Sequence, residues 1–121
     1  MARENGIQVM GFSNLASSSY VEIGGATAEE NPQNLPAVKD IAQRHSKTPA
    51  QVLLRWGLQR GTAIIPKSSK MERIEENFAL FDFNLSQAEV AVIDGLDRNR
   101  RYNDPGVYAE MAFGCYCPIF E

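Results

Sequence analysis

Two short apolar runs set the limits on what this chain can fold into. Gly6-Ile7-Gln8-Val9-Met10-Gly11-Phe12 carries large or branched apolar residues and is bounded by Gly6 and Ser13-Asn14, so it reads as a buried strand. Thr62-Ala63-Ile64-Ile65-Pro66 reads the same way and ends at Pro66, which cannot donate to a ladder. Long stretches of helical period follow each of them, and strands joined by helical crossovers lie parallel. Two strands alone make no stable sheet, because each has an outer edge that needs a neighbour. The expectation is a slice of a larger parallel sheet or barrel, entered in its middle.

Between the strands, residues 17–34 are rich in Ser, Gly, Asn and Glu, contain Gly24-Gly25 and end in Asn31-Pro32. They read as a long loop with little core signal. Leu35, Val38, Ile41, Ala42 and His45 then share one helical face, with Lys39, Asp40 and Arg44 outside it. Thr48-Pro49-Ala50-Gln51 is a capping box with proline in the first turn, and its helix runs through Val52, Leu53 and Trp56 to stop before Gly61. A third helix starts near Lys70 with Met71, Ile74, Phe78 and Phe81 as its apolar stripe. Ser86-Gln87-Ala88-Glu89 is a second capping box, opening a helix on Val90, Ile93 and Leu96. From Asp97 onward the chain is irregular.

Composition removes several classes of function. A net charge of −3 over 121 residues offers no basic stripe for nucleic acid or an anionic membrane. No apolar run is long enough to span a bilayer. The start, Met1-Ala2-Arg3-Glu4-Asn5, is polar and reads as no signal peptide. Cys115 and Cys117 are one residue apart, which makes a poor disulfide and half of a zinc site. They read as reduced thiols of a cytoplasmic protein, and no metal site is expected.

Chemistry concentrates in Ile65-Pro66-Lys67-Ser68-Ser69, where a parallel strand ends and a helix begins. The unpaired N–H groups and the dipole of that helix favour an anion there. Lys67 adds a full charge, Ser68 and Ser69 add donors, and Arg73 can reach back with a planar fork suited to phosphate. Solvated surface charges beside an ordinary helix start would explain the same residues. Glu76 and Asn77 have the hydrogen-bonding groups to hold an adenine amino group, while a helix-surface pair of Glu76 with Arg73 is the plainer account.

The run Ile65-Pro66-Lys67-Ser68, then Arg73-Ile74-Glu75-Glu76-Asn77 and Phe81-Asp82-Phe83-Asn84-Leu85-Ser86, resembles the closing signature of the aldo-keto reductases. So does Thr48-Pro49-Ala50-Gln51-Val52-Leu53-Leu54-Arg55-Trp56. The order and spacing agree over nearly the whole chain and weaken in residues 17–34 and in the tail. The resemblance implies an α/β fold, a partial (β/α)8 TIM barrel made of the last two strand–helix units and the C-terminal loop. Residues 1–121 would then be the C-terminal part of an NADP-dependent oxidoreductase domain, with 97–121 its C-terminal loop. It further implies reduction of aldehydes, ketones or sugars with NADPH.

By motif position, Lys67 and Arg73 would contact the ribose 2′-phosphate, helped by Ser68 and the backbone of Ser69, and Glu76 and Asn77 would hold the adenine. Gly11-Phe12-Ser13-Asn14-Leu15-Ala16-Ser17 matches a segment that usually reads Tyr-Ser-Pro-Leu-Gly-Ser. There Phe12 would stack on the nicotinamide, and Ser13, Leu15 and Ser17 would line the pyrophosphate. Phe12 replaces the usual tyrosine, which keeps the stacking face and loses the hydroxyl. Asn14 replaces the usual proline, which implies a less rigid loop.

The family's catalytic tyrosine, aspartate, lysine and histidine come from earlier barrel strands. Tyr20, Tyr102, Tyr108 and Tyr116 occupy no matching position, and His45 reads as helix packing or surface. No catalytic residue is expected in this chain, which alone would be inactive. Phe113, Tyr116, Ile119 and Phe120 would line the substrate pocket or pack a terminal segment. The expected partner is a small-molecule carbonyl substrate, and the oligomeric state is not set. The alternative is a truncated, non-catalytic product that binds nucleotide weakly or a protein partner by its exposed strand edge.

Overall fold

The computed structural model describes residues 2–16, 19–22, 26–100, 102 and 114. Strand β1 (Val9–Met10) and strand β2 (Thr62–Ala63) form a two-stranded parallel sheet, with Val9 opposite Thr62 and Met10 opposite Ala63. The parallel pairing is as expected, but the strands are shorter and the burial differs. Ile7, Val9, Met10, Phe12 and Ile65 are all exposed. The reason is the missing neighbour: among the described residues no strand pairs with the outer edge of either strand, so the apolar residues meet solvent.

Helices α2 (Pro36–Arg44) and α3 (Pro49–Gln59) fall where the sequence places them. Left-handed Ser46 (φ 52°) closes α2, while the N–H of Lys47 bonds the carbonyl of Ala42 at 2.9 Å. Val38, Ile41 and Ala42 of α2 pack with Val52 and Leu53 of α3, with Ile93 of α5 (Gln87–Asp94), and with Phe83 and Leu85 of the loop just before α5. This is the core.

Two readings need correction. Residues 17–34 are not all loop: helix α1 (Ser19–Glu22) and 3-10 turns at Ala28–Glu30 and Pro32–Asn34 lie within them. Tyr20 is buried, and its ring lies 6.0 Å from that of Tyr102. Helix α4 (Met71–Phe78) has its apolar stripe, but Met71, Ile74 and Phe78 are exposed, and Phe81 lies beyond the helix end. Within the described residues α4 covers no core; it is fastened by polar bonds at its C-terminal end instead.

Candidate functional site

Two loops meet at the C-terminal edge of the parallel pair. The first carries Phe12, Ser13, Asn14 and Leu15 after β1, and the second carries Lys67, Ser68 and Ser69 after β2. The ladder continues past the strands through Gly11 N–H to the Ala63 carbonyl at 2.8 Å. Beyond it, the Ile65 N–H donates to Asn14 Oδ1 at 3.3 Å. The first loop is further held by Ser13 Oγ and Tyr20 Oη, 3.2 Å apart, and by Gln33 Nε2 donating to the Leu15 carbonyl at 3.1 Å. Ser13 (φ 51°) and Ala16 (φ 44°) take the left-handed conformation, which costs about 1 kcal/mol or more for residues bearing a Cβ. The loop implied to be less rigid by the loss of proline is thus tied at each of Ser13, Asn14 and Leu15.

The second loop leads into α4. Ser68 Oγ accepts the Lys70 N–H at 3.1 Å and turns the chain into the helix. Lys70 is the N-cap and provides no side-chain cap, so the first N–H groups of α4 stay open to a ligand. Lys67, Lys70 and Arg73 are exposed around this end, and no ion pair engages them among the described residues. Glu72 in the first turn is the opposing charge. The local balance is positive, the helix end favours negative charge, and the arrangement suits a phosphate.

The expected pair of Glu76 with Arg73 is not formed. Glu76 Oε1 instead accepts the Thr48 hydroxyl at the start of α3, which leaves its second oxygen for another donor. Gln51 Nε2 donates to the carbonyls of Glu76 (3.2 Å) and Ala79 (3.0 Å). The capping box of α3 therefore also caps α4 at its end, and so fixes the helix that bears Arg73, Glu76 and Asn77. This double use could not be read from the local motif, because it depends on where α4 docks. An open groove of about 660 Å³ beside β1 and α3 is lined by Phe12 and Asn14 with Leu53 and Trp56, and Lys67 takes no part in it. Ser17 and the tail candidates Phe113, Tyr116, Ile119 and Phe120 lie outside the described residues, as do Cys115 and Cys117. Among the described residues no cluster could hold a metal ion, and no helix is long and apolar enough to cross a membrane.

The model of the aldo/keto reductase family matches residues 1–98. The chain belongs to the aldo/keto reductase family. It is 40% identical over 121 residues to an NAD(P)H-dependent D-xylose reductase of Aspergillus niger, covering 98% of this chain and 36% of that protein. A probable NAD(P)H-dependent D-xylose reductase of Emericella nidulans is 43% identical over 109 residues, or 88% of this chain and 34% of that protein. The crystal structure of an aldo/keto reductase from Brucella melitensis superposes with a TM-score of 0.64 at 32% identity, over 79% of this chain and 32% of that one. The chain spans about a third of the length of the curated relatives it matches. The fold implied by the aldo/keto reductase family is a (β/α)8 barrel, and the described residues form a small α/β unit.

Proposed function

We propose that this chain is the cofactor-gripping C-terminal part of an NADPH-dependent carbonyl reductase, supplying the last two strand–helix units of its barrel. Residues 1–121 belong to that one domain, and 97–121 form its C-terminal loop. The observation that carries the reading is the meeting of two loops at the C-terminal edge of parallel strands, beside an uncapped helix start where Lys67 and Arg73 are exposed and, among the described residues, in no ion pair. In α/β barrels that edge bears the chemistry, and the loops after the last strands bind phosphate.

The residues fit an NADP(H) molecule. Lys67, Arg73, Ser68 and the backbone of Ser69 would hold the 2′-phosphate, Glu76 and Asn77 the adenine, and Ser13, Leu15 and Ser17 the pyrophosphate. Phe12, exposed and flat, would give the nicotinamide a stacking face. When bound, the nicotinamide supplies a hydride to a carbonyl carbon. This chain's share is binding and orientation; among the described residues none is placed to donate the proton of the reaction, and the chain alone is expected to be inactive. The substrate class is a small aldehyde, ketone or sugar, in keeping with the D-xylose in the relatives' names, and the compartment is the cytoplasm. The test compares NADPH and NADH dissociation constants in Lys67→Ala and Arg73→Ala.

A second reading is a non-catalytic product that takes a protein partner along its strand edge. The exposure of Val9 and Met10 favours it. Cofactor binding that responds to neither substitution, together with a partner that protects the β1 edge from amide exchange, would establish it.

A further inference from the structure

We propose that Asn14 is a positioning residue: its amide oxygen replaces a backbone carbonyl as the next rung of the parallel ladder and so sets the loop of Phe12 against the loop of Lys67. The consequence for ligand binding rests on the cofactor reading above; the rung itself does not.

The register pairs Val9 with Thr62 and Met10 with Ala63, and Gly11 N–H continues it to the Ala63 carbonyl. In a parallel ladder the next bond would run from the Ile65 N–H to the Gly11 carbonyl. The acceptor for Ile65 is Asn14 Oδ1 instead, from a residue further along the first loop. To reach it, the Asn14 side chain folds back over Gly11. A Cβ on residue 11 would stand 2.1 Å from Asn14 Nδ2, a separation no side chain tolerates. Glycine at 11 and asparagine at 14 therefore work as one device. Its leverage comes from Pro66: the ring fixes φ of the residue between Ile65 and Lys67. Holding the Ile65 amide thus holds the start of the phosphate loop, while Asn14 sits between Phe12 and Leu15 in the other loop. A ligand that spans both loops depends on this tie, whereas a ligand that touches only the second loop does not.

Amide exchange and ligand binding test this in the protein with Asn14→Ala, Asn14→Asp and Gly11→Ala. Loss of the acceptor is expected to speed exchange at Ile65 by about tenfold, the size of one net hydrogen bond. Asn14→Asp, which keeps an acceptor oxygen, should restore slow exchange. Gly11→Ala should reproduce the Asn14→Ala effect and add little on top of it. In Asn14→Ala, NADPH should bind about tenfold more weakly, while adenosine 2′-monophosphate, which lacks the pyrophosphate and reaches only the second loop, should bind nearly as before. Unchanged exchange at Ile65, or equal loss of both ligands, would overturn the inference. If the unsubstituted protein binds neither ligand, the cofactor reading fails, and exchange at Ile65 with its rescue by Asn14→Asp alone decides the rung.

Discussion

His45, just past the end of α2, places its Nε2 3.1 Å from both carboxylate oxygens of Glu89 in the first turn of α5. Glu89 is buried and also accepts the Ser86 N–H (2.8 Å) and hydroxyl (2.9 Å). Burial pushes its carboxyl up; the Ser86 backbone bond, the His45 bond, the Ser86 hydroxyl and the charge of His45 outweigh it and hold the group at about 2 rather than its ordinary 4.5.

That depression makes a prediction for acid stability. A carboxyl whose folded value lies below its unfolded one stabilises the fold above the unfolded value and loses that contribution as pH falls. The loss should run between pH 4.5 and about 2. The contribution is on the order of 3 kcal/mol. Glu89→Gln should unfold more easily at pH 7 and show a flatter stability profile across this window. Denaturant unfolding at a series of pH values measures it, and parallel profiles for the two proteins would refute the role.

Gln51 is buried and makes bonds at both ends of its amide: it accepts from the Thr48 N–H and donates to the carbonyls of Glu76 and Ala79. Gln51→Ala should cost about 2–3 kcal/mol, from a lost cap and carbonyls left without a donor. Gln51→Glu keeps the acceptor but turns a carboxylate toward those carbonyls, so it should not rescue. Urea midpoints give the order, and proteolysis should first cut near α4, which has no buried residue of its own to hold it.

The capping boxes explain which part of the fold was legible. Thr48 with Gln51 and Ser86 with Glu89 are local signals, and both helix starts fall on them. Strand length was not legible, because a ladder needs neighbours and the sequence of one strand does not say what pairs with it. Tyr20 sits in a run of serines and glycines, so its burial against Tyr102 left no periodic trace. In the site, Lys67 and Arg73 were marked by charge beside a helix start. The roles of Asn14 and Gln51 were hidden, since each depends on an acceptor or donor more than 20 residues away in the chain.

Exposed apolar side chains predict self-association of the chain on its own. Phe12 is 71% and Phe78 79% exposed, and Ile7, Met10 and Phe81 join them. Contiguous apolar surface and unpaired strand edges promote association. Light scattering of the purified chain should show oligomers or poor solubility, and Met10→Lys on β1 should reduce them. A monomeric, cooperatively unfolding species would refute this.

The chain by itself should show no carbonyl reduction. A positioned general acid contributes about 10²–10⁴-fold, and orientation of the reactants adds more. Among the described residues none fills the acid's place: Tyr20 is buried with its hydroxyl against Ser13, and His45 is engaged with Glu89. The assay follows NADPH oxidation with a reactive aldehyde, and turnover at a rate typical of an enzyme would sink the expectation.

The cofactor prediction separates the 2′-phosphate from the rest of the molecule. The relatives' names read NAD(P)H-dependent, and on the proposed reading the groups that meet the extra phosphate would set the preference of this chain. Lys67 gives a point charge and Arg73 a directed fork beside a helix start that already favours anions. A charge-assisted hydrogen bond contributes roughly 1.5–3 kcal/mol, so Lys67→Ala or Arg73→Ala should weaken NADPH by about one to two powers of ten. NADH has no phosphate at that point and should change little. Raised salt should weaken NADPH more than NADH in the unsubstituted protein, and this gap should narrow in each variant. Equal losses for both cofactors would mean that Lys67 and Arg73 support the loop rather than read the phosphate.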